Sequence, residues 1–241
     1  MDTEAALPER DRSSATSSDE VDPEERSRSA VPGGRPARAL LALWAEWRRT
    51  ILLAAAGVTV MLLVNAFVMR PYQVPSGSME GTLRIGDRVL VDKLAYRFGG
   101  TPRRGDVIVF DGDGSFTQKP GTDYVKRVIG VGGDRVTCCD AQGRLMVNGH
   151  PLDETYLYPG NTPSQVRFDI VVPDGRLWVM GDHRDDSRDS RDHLGDPGGG
   201  TVPVGRVIGR ADWIAWPVGH WTRLRRPAAF DGVPGPVGAH G

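Results

Sequence analysis

The sequence has very few cysteines and no excess of charge, and each absence excludes a class of protein. Its 241 residues include only Cys138 and Cys139, so the spacings of zinc fingers and of Cys-x-x-Cys redox sites are absent. Two separate thiols are the more common arrangement for neighbouring cysteines, whereas a disulfide between them needs an oxidising compartment. With 30 Lys and Arg against 31 Asp and Glu, the net charge of -1 gives no reason to expect a nucleic-acid partner.

Helical periodicity is also scarce, because no long 3.6-residue pattern follows residue 70. The chain is instead rich in turn formers, with 31 Gly and 18 Pro. Short segments rich in Val, Ile and Leu lie between these turns at residues 88–92, 106–110, 124–129, 144–147, 176–180 and 205–210. Asn148-Gly149 is a typical two-residue hairpin turn. We predict a mostly β domain of antiparallel sheets over residues 71–222.

The N-terminal region has few large apolar side chains until a long apolar run begins. Residues 1–38 are rich in Ser, Glu, Asp, Arg and Pro, and we predict that they are disordered, because they cannot bury enough apolar surface to offset the entropy of ordering. Residues 51–69 carry no charge and are long enough to cross a bilayer as one helix. The polar segment before them favours a permanent anchor over residues 39–70 rather than a cleavable signal peptide, and the uncharged length disfavours a buried core helix.

The basic residues around the span predict its orientation. Four arginines lie in the twenty residues before the span and only two in the twenty residues after Arg70. The positive-inside rule then places the N-terminus in the cytoplasm and the β domain outside it, as a single-pass protein of the plasma membrane. Residues 223–241 are rich in Pro and Gly, and we predict a flexible C-terminal tail there.

Two serines flank a glycine in the segment PSGSMEGTL, residues 75–83. Pro75 and Gly77 keep the segment non-helical, and Gly77 allows the backbone to approach a ligand closely. Taken alone, this pattern is more typical of a surface loop than of a catalytic site.

The segment YVKRVIGVGGD, residues 124–134, places basic side chains on opposite faces of a predicted strand. Tyr124, Lys126 and Val128 share one face and Arg127 points to the other, so one of the two basic residues is buried if only one face is covered. A buried lysine loses its proton more readily than a solvated one and can then act as a general base. The alternative is a solvated Lys126 at a sheet edge.

The segment GDHRDDSRDSR, residues 181–191, concentrates charge of both signs. One interpretation is a metal site built from Asp182, His183, Asp185 and Asp186. The three arginines of the segment argue against it, because they already balance the carboxylates. The alternative is a charged, hydrogen-bonded loop, and we expect no metal and no cofactor.

Taken together and in this order, the three segments resemble the signature motifs of the type I signal peptidase (leader peptidase) family of Ser–Lys proteases. The family patterns are close to PSGSMxPTL, YVKRxxGxPGD and GDNRDNSxDSR, and the connecting segments GDRVLVDKLAY and RRGDVIVF are similar as well. The resemblance covers about residues 50–220. It implies a membrane-bound serine endopeptidase that removes N-terminal signal peptides from exported preproteins at sites of the Ala-x-Ala type, with the lipid bilayer as a second partner.

The resemblance also implies a role for individual residues. Ser78 matches the nucleophile and Lys126 the general base, while the Ser76 hydroxyl and the Ser78 backbone N–H match the oxyanion hole. The residues that match the lysine-orienting serine, a close backbone approach and a supporting salt bridge are Ser187, Gly181, Asp189 and Arg191. Those that match the substrate-binding positions are Tyr72, Val74, Pro75, Met79, Leu83, Tyr124 and Val125.

The chain departs from the family patterns at a few positions beside these residues. Glu80-Gly81 replaces a residue followed by proline, and Gly132 replaces another proline. His183 and Asp186 stand where the family has asparagine. None of these changes removes the nucleophile, the base or the oxyanion serine.

Two other functions remain open from the sequence. A self-cleaving Ser–Lys regulator is disfavoured by the anchor and by the absence of a DNA-binding segment. A non-catalytic membrane module is disfavoured by the intact Ser78 and Lys126. We further predict that Trp213 and Trp216, with Ile214 and Val218, seat the domain on lipid; ordinary core packing is the alternative.

Overall fold

A long N-terminal helix precedes the β domain. The computed structural model describes residues 35–117, 119 and 121–236, so residues 1–34 of the predicted disordered segment lie outside the described residues, as do the last five residues. Helix α1 spans Arg35–Phe67. Its segment Glu46–Phe67 is long and apolar enough to cross a membrane by length and composition, and none of its most apolar stretch is buried in protein. The described residues divide into two units, one ending at Leu53 and the other beginning at Ala54.

The second unit contains a large antiparallel sheet whose strands follow the Val- and Ile-rich segments. Its eight strands are β1 (Met69–Gln73), β2 (Arg88–Asp92), β3 (Val107–Asp111), β4 (Asp123–Val131), β9 (Arg176–Met180), β10 (Val202–Pro203), β11 (Val207–Trp216) and β12 (Thr222–Arg223). They lie in the order β1-β2-β11-β3-β4-β9-β10, with β12 paired to β11. The prediction of a mostly antiparallel β fold after one apolar helix is confirmed.

A smaller antiparallel sheet of four strands follows β4 in the chain, in the order β7-β6-β5-β8. Its strands are β5 (Arg135–Cys138), β6 (Leu145–Val147), β7 (His150–Pro151) and β8 (Phe168–Val171). Asn148 and Gly149 both have positive φ and close the turn between β6 and β7, as predicted. Cys138 and Cys139 are joined in a disulfide at the end of β5, which is the less common of the two arrangements weighed for adjacent cysteines.

The core explains why the central strands carry almost unbroken apolar runs. Strand β3 is buried along four successive residues because both of its faces are covered. On one face it packs in a cluster with Val89, Leu83 and Ile214. Ile214 is therefore a core residue, and its predicted role on lipid is wrong, whereas Trp213 and Trp216 are partly exposed.

Residues 224–236 are packed against the domain rather than loose, in contrast to the flexible tail predicted for residues 223–241, whose last five residues lie outside the described ones. Phe230 is buried in the cluster between the two sheets and stacks on Tyr156 at a ring-centroid distance of 6.2 Å. The Pro234 carbonyl accepts a hydrogen bond from the Asn148 side-chain amide at 3.0 Å. The prediction failed because one buried aromatic ring anchors a segment whose composition is otherwise typical of a loop.

Replacing Phe230 with alanine tests this anchoring. Loss of a buried ring should lower the free energy of unfolding by about 3–5 kcal/mol. The exposed Val218 is a control, because Val218→Ala should change it by less than about 0.5 kcal/mol. Urea unfolding of the detergent-solubilised chain gives both values, and equal stability of the two variants would mean that the segment is loose.

Candidate active site

Ser78 lies on a short 3-10 turn, Gly77–Met79, in the connection between β1 and β2. Met79 and Leu83 are buried in the core on either side of the turn, so the apolar positions of PSGSMEGTL hold the loop and leave Ser78 half-buried. Ser76 is exposed, and its Oγ lies 3.4 Å from Ser78 Oγ. The loop therefore presents two hydroxyl groups at one position on the surface.

Lys126 reaches Ser78 from the middle of β4. Its Nζ lies 2.7 Å from Ser78 Oγ, and the residue is only 4% exposed. Burial lowers the pKa of Lys126 to about 8, although the carboxylates of Asp189 and Asp182 act in the opposite direction. With a pKa of about 8, roughly a tenth of this amine is neutral at pH 7, several hundred times more than for a solvated lysine, and a neutral amine accepts a proton.

Both basic residues of β4 are buried, whereas strand alternation led us to expect one buried and one solvated if a single face is covered. Arg127 is on the opposite face from Lys126 and forms a buried ion pair with Asp182, with Nη2 to Oδ2 at 2.6 Å. Thr82 donates to the same carboxylate at 2.6 Å, and the guanidinium lies over the Tyr156 ring. The ion pair thus connects β4 to both the nucleophile loop and the loop after β9.

The loop of residues 181–191 closes the site beside the lysine. Asp189 is fully buried and pairs with Arg191 at 2.9 Å, and it accepts hydrogen bonds from the Gly181 N–H at 3.0 Å and from the Ser187 hydroxyl at 2.7 Å. Burial alone would raise the pKa of Asp189, but these donors hold it below its usual value. Asp189 therefore remains an anion inside the protein and fixes the loop.

Gly181 permits a close approach between this loop and the nucleophile loop. A side chain at Gly181 would overlap the Ser78 carbonyl oxygen and the Ser187 hydroxyl. The His183 N–H also donates to the Ser78 carbonyl at 3.1 Å. The Ser187 hydroxyl donates to Asp189, and among the described residues it forms no hydrogen bond with Lys126, so its role in orienting the lysine stays a prediction.

The residues assigned to substrate binding form the walls of one groove at Ser78. The groove has a volume of about 300 Å³. It is lined by Tyr72, Val74, Pro75, Met79, Tyr124 and Val125, together with Ser76, Ser78, Lys126, Gln73, Val109, Thr122 and Asp123. Leu83 does not line it and instead packs beneath Val74 and Met79 in the core. Gln73, Val109, Thr122 and Asp123 were not predicted to line the groove. Gln73, Thr122 and Asp123 lie within two residues of a motif, whereas Val109 comes from the adjacent strand β3 and had no such signal.

Unpaired strand edges flank the groove. Residues 123–126 pair only with β3, because pairing of β4 with β9 begins at Arg127 opposite Met180. Strand β1 pairs only with β2, so its second edge is also free. Such edges offer backbone N–H and C=O groups to an extended peptide.

Two departures from the family patterns face each other beside the nucleophile loop. Glu80 Oε2 lies 3.5 Å from His183 Nδ1, and the His183 ring stacks on Tyr158 at 4.1 Å between ring centroids. Asp186 Oδ2 lies 3.0 Å from the point that a Cβ on Gly77 would occupy. These side chains border the site without contacting Lys126.

The buried Arg127–Asp182 pair gives a stability prediction. Asp182→Asn should lower the free energy of unfolding by about 3–5 kcal/mol, because it leaves the Arg127 charge buried without its partner. Arg135 and Asp169 form an exposed pair, and Asp169→Asn should cost at most about 1 kcal/mol. Urea unfolding followed by tryptophan fluorescence measures both, and a small effect of Asp182→Asn would show that the pair does not hold the loops.

Known proteins that are similar to this chain are signal peptidases. The family model described as "Signal peptidase, peptidase S26" matches residues 44–216. A signal peptidase I of Mycobacterium tuberculosis is 40% identical over 223 residues, covering 74% of this chain and 75% of that protein. A probable signal peptidase I of Mycobacterium leprae is 39% identical, covering 73% and 78%. A solved signal peptidase I from Enterococcus faecalis is 29% identical, covers 45% of this chain and 95% of its own, and has a TM-score of 0.34. The chain belongs to the signal peptidase family, peptidase S26.

Proposed function

We propose that this chain is a membrane-anchored endopeptidase that removes signal peptides from exported preproteins, with Ser78 as nucleophile and Lys126 as general base. The observation that carries the proposal is the 2.7 Å contact between Lys126 Nζ and Ser78 Oγ in a buried surround. A serine hydroxyl is a weak nucleophile until an adjacent base takes its proton. A buried lysine can serve as that base in place of histidine.

The proposed reaction begins when neutral Lys126 accepts the Ser78 hydroxyl proton as Oγ attacks the carbonyl carbon of the scissile bond. The carbonyl oxygen becomes an oxyanion, and the Ser78 N–H with the Ser76 hydroxyl donates to it. The Lys126 ammonium then gives its proton to the leaving amine as the C–N bond breaks, which leaves an acyl-enzyme. Water, deprotonated by Lys126, attacks this ester, and Ser78 regains its proton as the acid product leaves.

The loop of residues 181–191 supports this proposal by positioning. Asp189 and Arg191 form the buried pair that fixes the loop, and Gly181 lets it contact the nucleophile loop. Ser187 lies between them as a donor to Asp189. These residues order the surround of Lys126 and are positioning residues in the proposal, not catalytic ones.

The acyl side of the substrate would occupy the groove as an added strand. The free edges of β1 and of the first residues of β4 supply backbone partners, and these are independent of sequence. Apolar walls at Val74, Met79 and Val125 suit small side chains, which supports cleavage after Ala-x-Ala sequences. Asp123 also lines the groove and would be the charged group at its wall.

The proposed orientation is a cytoplasmic N-terminus and an extracytoplasmic β domain. The arginine bias around the span supports it, and so does the Cys138–Cys139 disulfide, since disulfides persist in oxidising compartments. The bilayer is then a partner as well as an anchor. Trp213 and Trp216 remain candidates for lipid contact because they are partly exposed. The test uses full-length protein in which the other exposed tryptophans, Trp44, Trp47 and Trp221, are replaced by phenylalanine. Quenching of the remaining exposed tryptophans by brominated lipids would support the contact, and unquenched fluorescence would exclude it.

Substitution of the proposed dyad is the direct test of function. The full-length chain in detergent should cleave a membrane-anchored precursor after an Ala-x-Ala site, and Ser78→Ala and Lys126→Met should abolish cleavage. Ser76→Ala should reduce kcat about 10²- to 10³-fold, as loss of one oxyanion donor does elsewhere. Ser164→Ala, which changes a serine outside the site, should leave the rate unchanged.

Full activity in either dyad variant, with the variant folded, would reject the assignment of Ser78 and Lys126. An inactive parent chain would instead favour a non-catalytic module that binds exported chains. Cleavage within the chain itself and not in the precursor would favour the self-cleaving alternative.

The pH dependence of kcat/KM tests the role of Lys126 separately. Only the neutral amine accepts a proton, so kcat/KM should be low at acid pH, rise through a pKa of about 8 and then level off. Asp186 is one of the carboxylates that raise the pKa of Lys126, so Asp186→Asn should move the rise to lower pH. Asp185→Asn is a matched control with the same charge change and should leave the profile in place. If Asp186→Asn left the pH of the rise in kcat/KM unchanged, the assignment of Lys126 as the general base would be contradicted.

A further inference from the structure

The connection between β2 and β3 begins in direct contact with the last turn of α1. Lys93 Nζ donates to the Ala66 carbonyl oxygen at 2.5 Å, and the Lys93 N–H donates to the Val68 carbonyl oxygen at 2.9 Å. A cation at the C-terminus of a helix is favoured by the helix dipole and by the free carbonyls of the last turn. This loop therefore lies at the end of the segment that we propose crosses the membrane.

The same loop presents an aromatic ring to its surroundings. Phe98 is 87% exposed, more than any other large apolar side chain among the described residues, including those of the apolar helix. Arg97 beside it is also exposed. A single exposed ring is common on soluble surfaces, but a ring and a cation at the end of a membrane span form the pair that is typical of the interface between headgroups and acyl chains.

A cleft of about 390 Å³ opens between this loop and the start of β11. Lys93, Tyr96 and Arg97 line one side of it, and residues 204, 205, 207 and 208 line the other. Within the part of the chain that the structure describes, neither Lys93 nor Arg97 pairs with a carboxylate.

The acidic groups near this cleft are already occupied by other partners. Asp106 accepts from the Tyr96 hydroxyl at 2.9 Å and pairs with Arg226, and Asp92 accepts from the Leu94 N–H at 2.8 Å. Asp111 and Asp113 pair with Arg206. The positive charge of the cleft is thus not neutralised by the protein itself.

We propose that this cleft binds the phosphate headgroup of an anionic phospholipid, with Lys93 and Arg97 on the phosphate and Phe98 in the acyl boundary below it. This proposal depends on one part of the proposed function, namely that α1 spans the bilayer. A membrane lipid is favoured over free phosphate because the contact of Lys93 with Ala66 fixes the cleft at the end of the span. The bound lipid would fix the domain against the membrane surface and so hold Ser78 at a constant height above it.

A labelling experiment tests the location of Phe98 without reference to activity. The two cysteines of the chain are joined to each other, so Phe98→Cys introduces a single free thiol for an environment-sensitive fluorophore. In full-length protein in phosphatidylcholine and phosphatidylglycerol nanodiscs, emission should shift to the blue, and brominated lipids should quench it. The same label at Ala141→Cys, on an exposed turn of the four-stranded sheet, should do neither. Water-like emission at position 98 would overturn the proposal.

An activity experiment tests the headgroup contact. Cleavage of a membrane-anchored precursor should increase as phosphatidylglycerol replaces phosphatidylcholine, and Arg97→Gln should reduce that increase about fivefold, the size expected for one basic residue near an anionic surface. Arg167→Gln removes the same charge from an exposed position before β8 and should keep the full increase. Cleavage of a soluble peptide should be the same in all three proteins.

Three outcomes would reject the lipid site and leave the proposed function intact. These are an unchanged increase in Arg97→Gln, an equal loss in Arg167→Gln, or an equal increase produced by inorganic phosphate in pure phosphatidylcholine. Failure to cleave the soluble peptide as well as the precursor, in every lipid, would instead count against the proposed function.

Discussion

The exclusion of water from the Lys126 ammonium group is the constraint on which the site depends. Burial alone would favour the neutral amine, yet two carboxylates, Asp189 and Asp182, lie close enough to favour the charged form. Each carboxylate has its own arginine, Arg191 for the first and Arg127 for the second, so little negative charge is left to act on the lysine. The arginines of the loop and of β4 therefore matter to the chemistry although neither contacts Ser78.

The same pairs organise loops that have few apolar residues to pack. Arg184 pairs with Glu154 out of contact with water, and Arg104 pairs with the buried Asp134. Buried pairs contribute little net stability, because desolvation offsets their attraction, but they tolerate only one arrangement. A Gly- and Asp-rich chain can thus hold the loop of residues 181–191 in a single conformation. The large sheet supplies the apolar core, and the ion pairs fix the loops on it.

The sequence predicted the strands well, because Val- and Ile-rich segments between turn formers have few alternative structures. It predicted the Asn148-Gly149 turn for the same local reason. It did not predict that both faces of β4 are covered, because the alternation of side chains along a strand shows which residues share a face but not which segments pack against that face. The burial of Phe230 and the walls of the groove at Asp123 likewise depend on contacts between distant segments. The pairing of Ser78 with Lys126 came from the resemblance and not from residue patterns, and its catalytic role remains a prediction.

The open edges of β1 and of the first residues of β4 have a consequence for selectivity. Main-chain groups bind any extended chain, so the groove itself discriminates only through a few small side chains. A protease with so permissive a cleft would be hazardous if it were free in solution. In the proposed function, enzyme and substrate would share one bilayer, which would raise their effective concentration by about two to four orders of magnitude, so that weak binding would suffice and untethered chains would be spared. Specificity would then depend largely on the attachment of enzyme and substrate to the same membrane, so the anchor helix would contribute to substrate recognition.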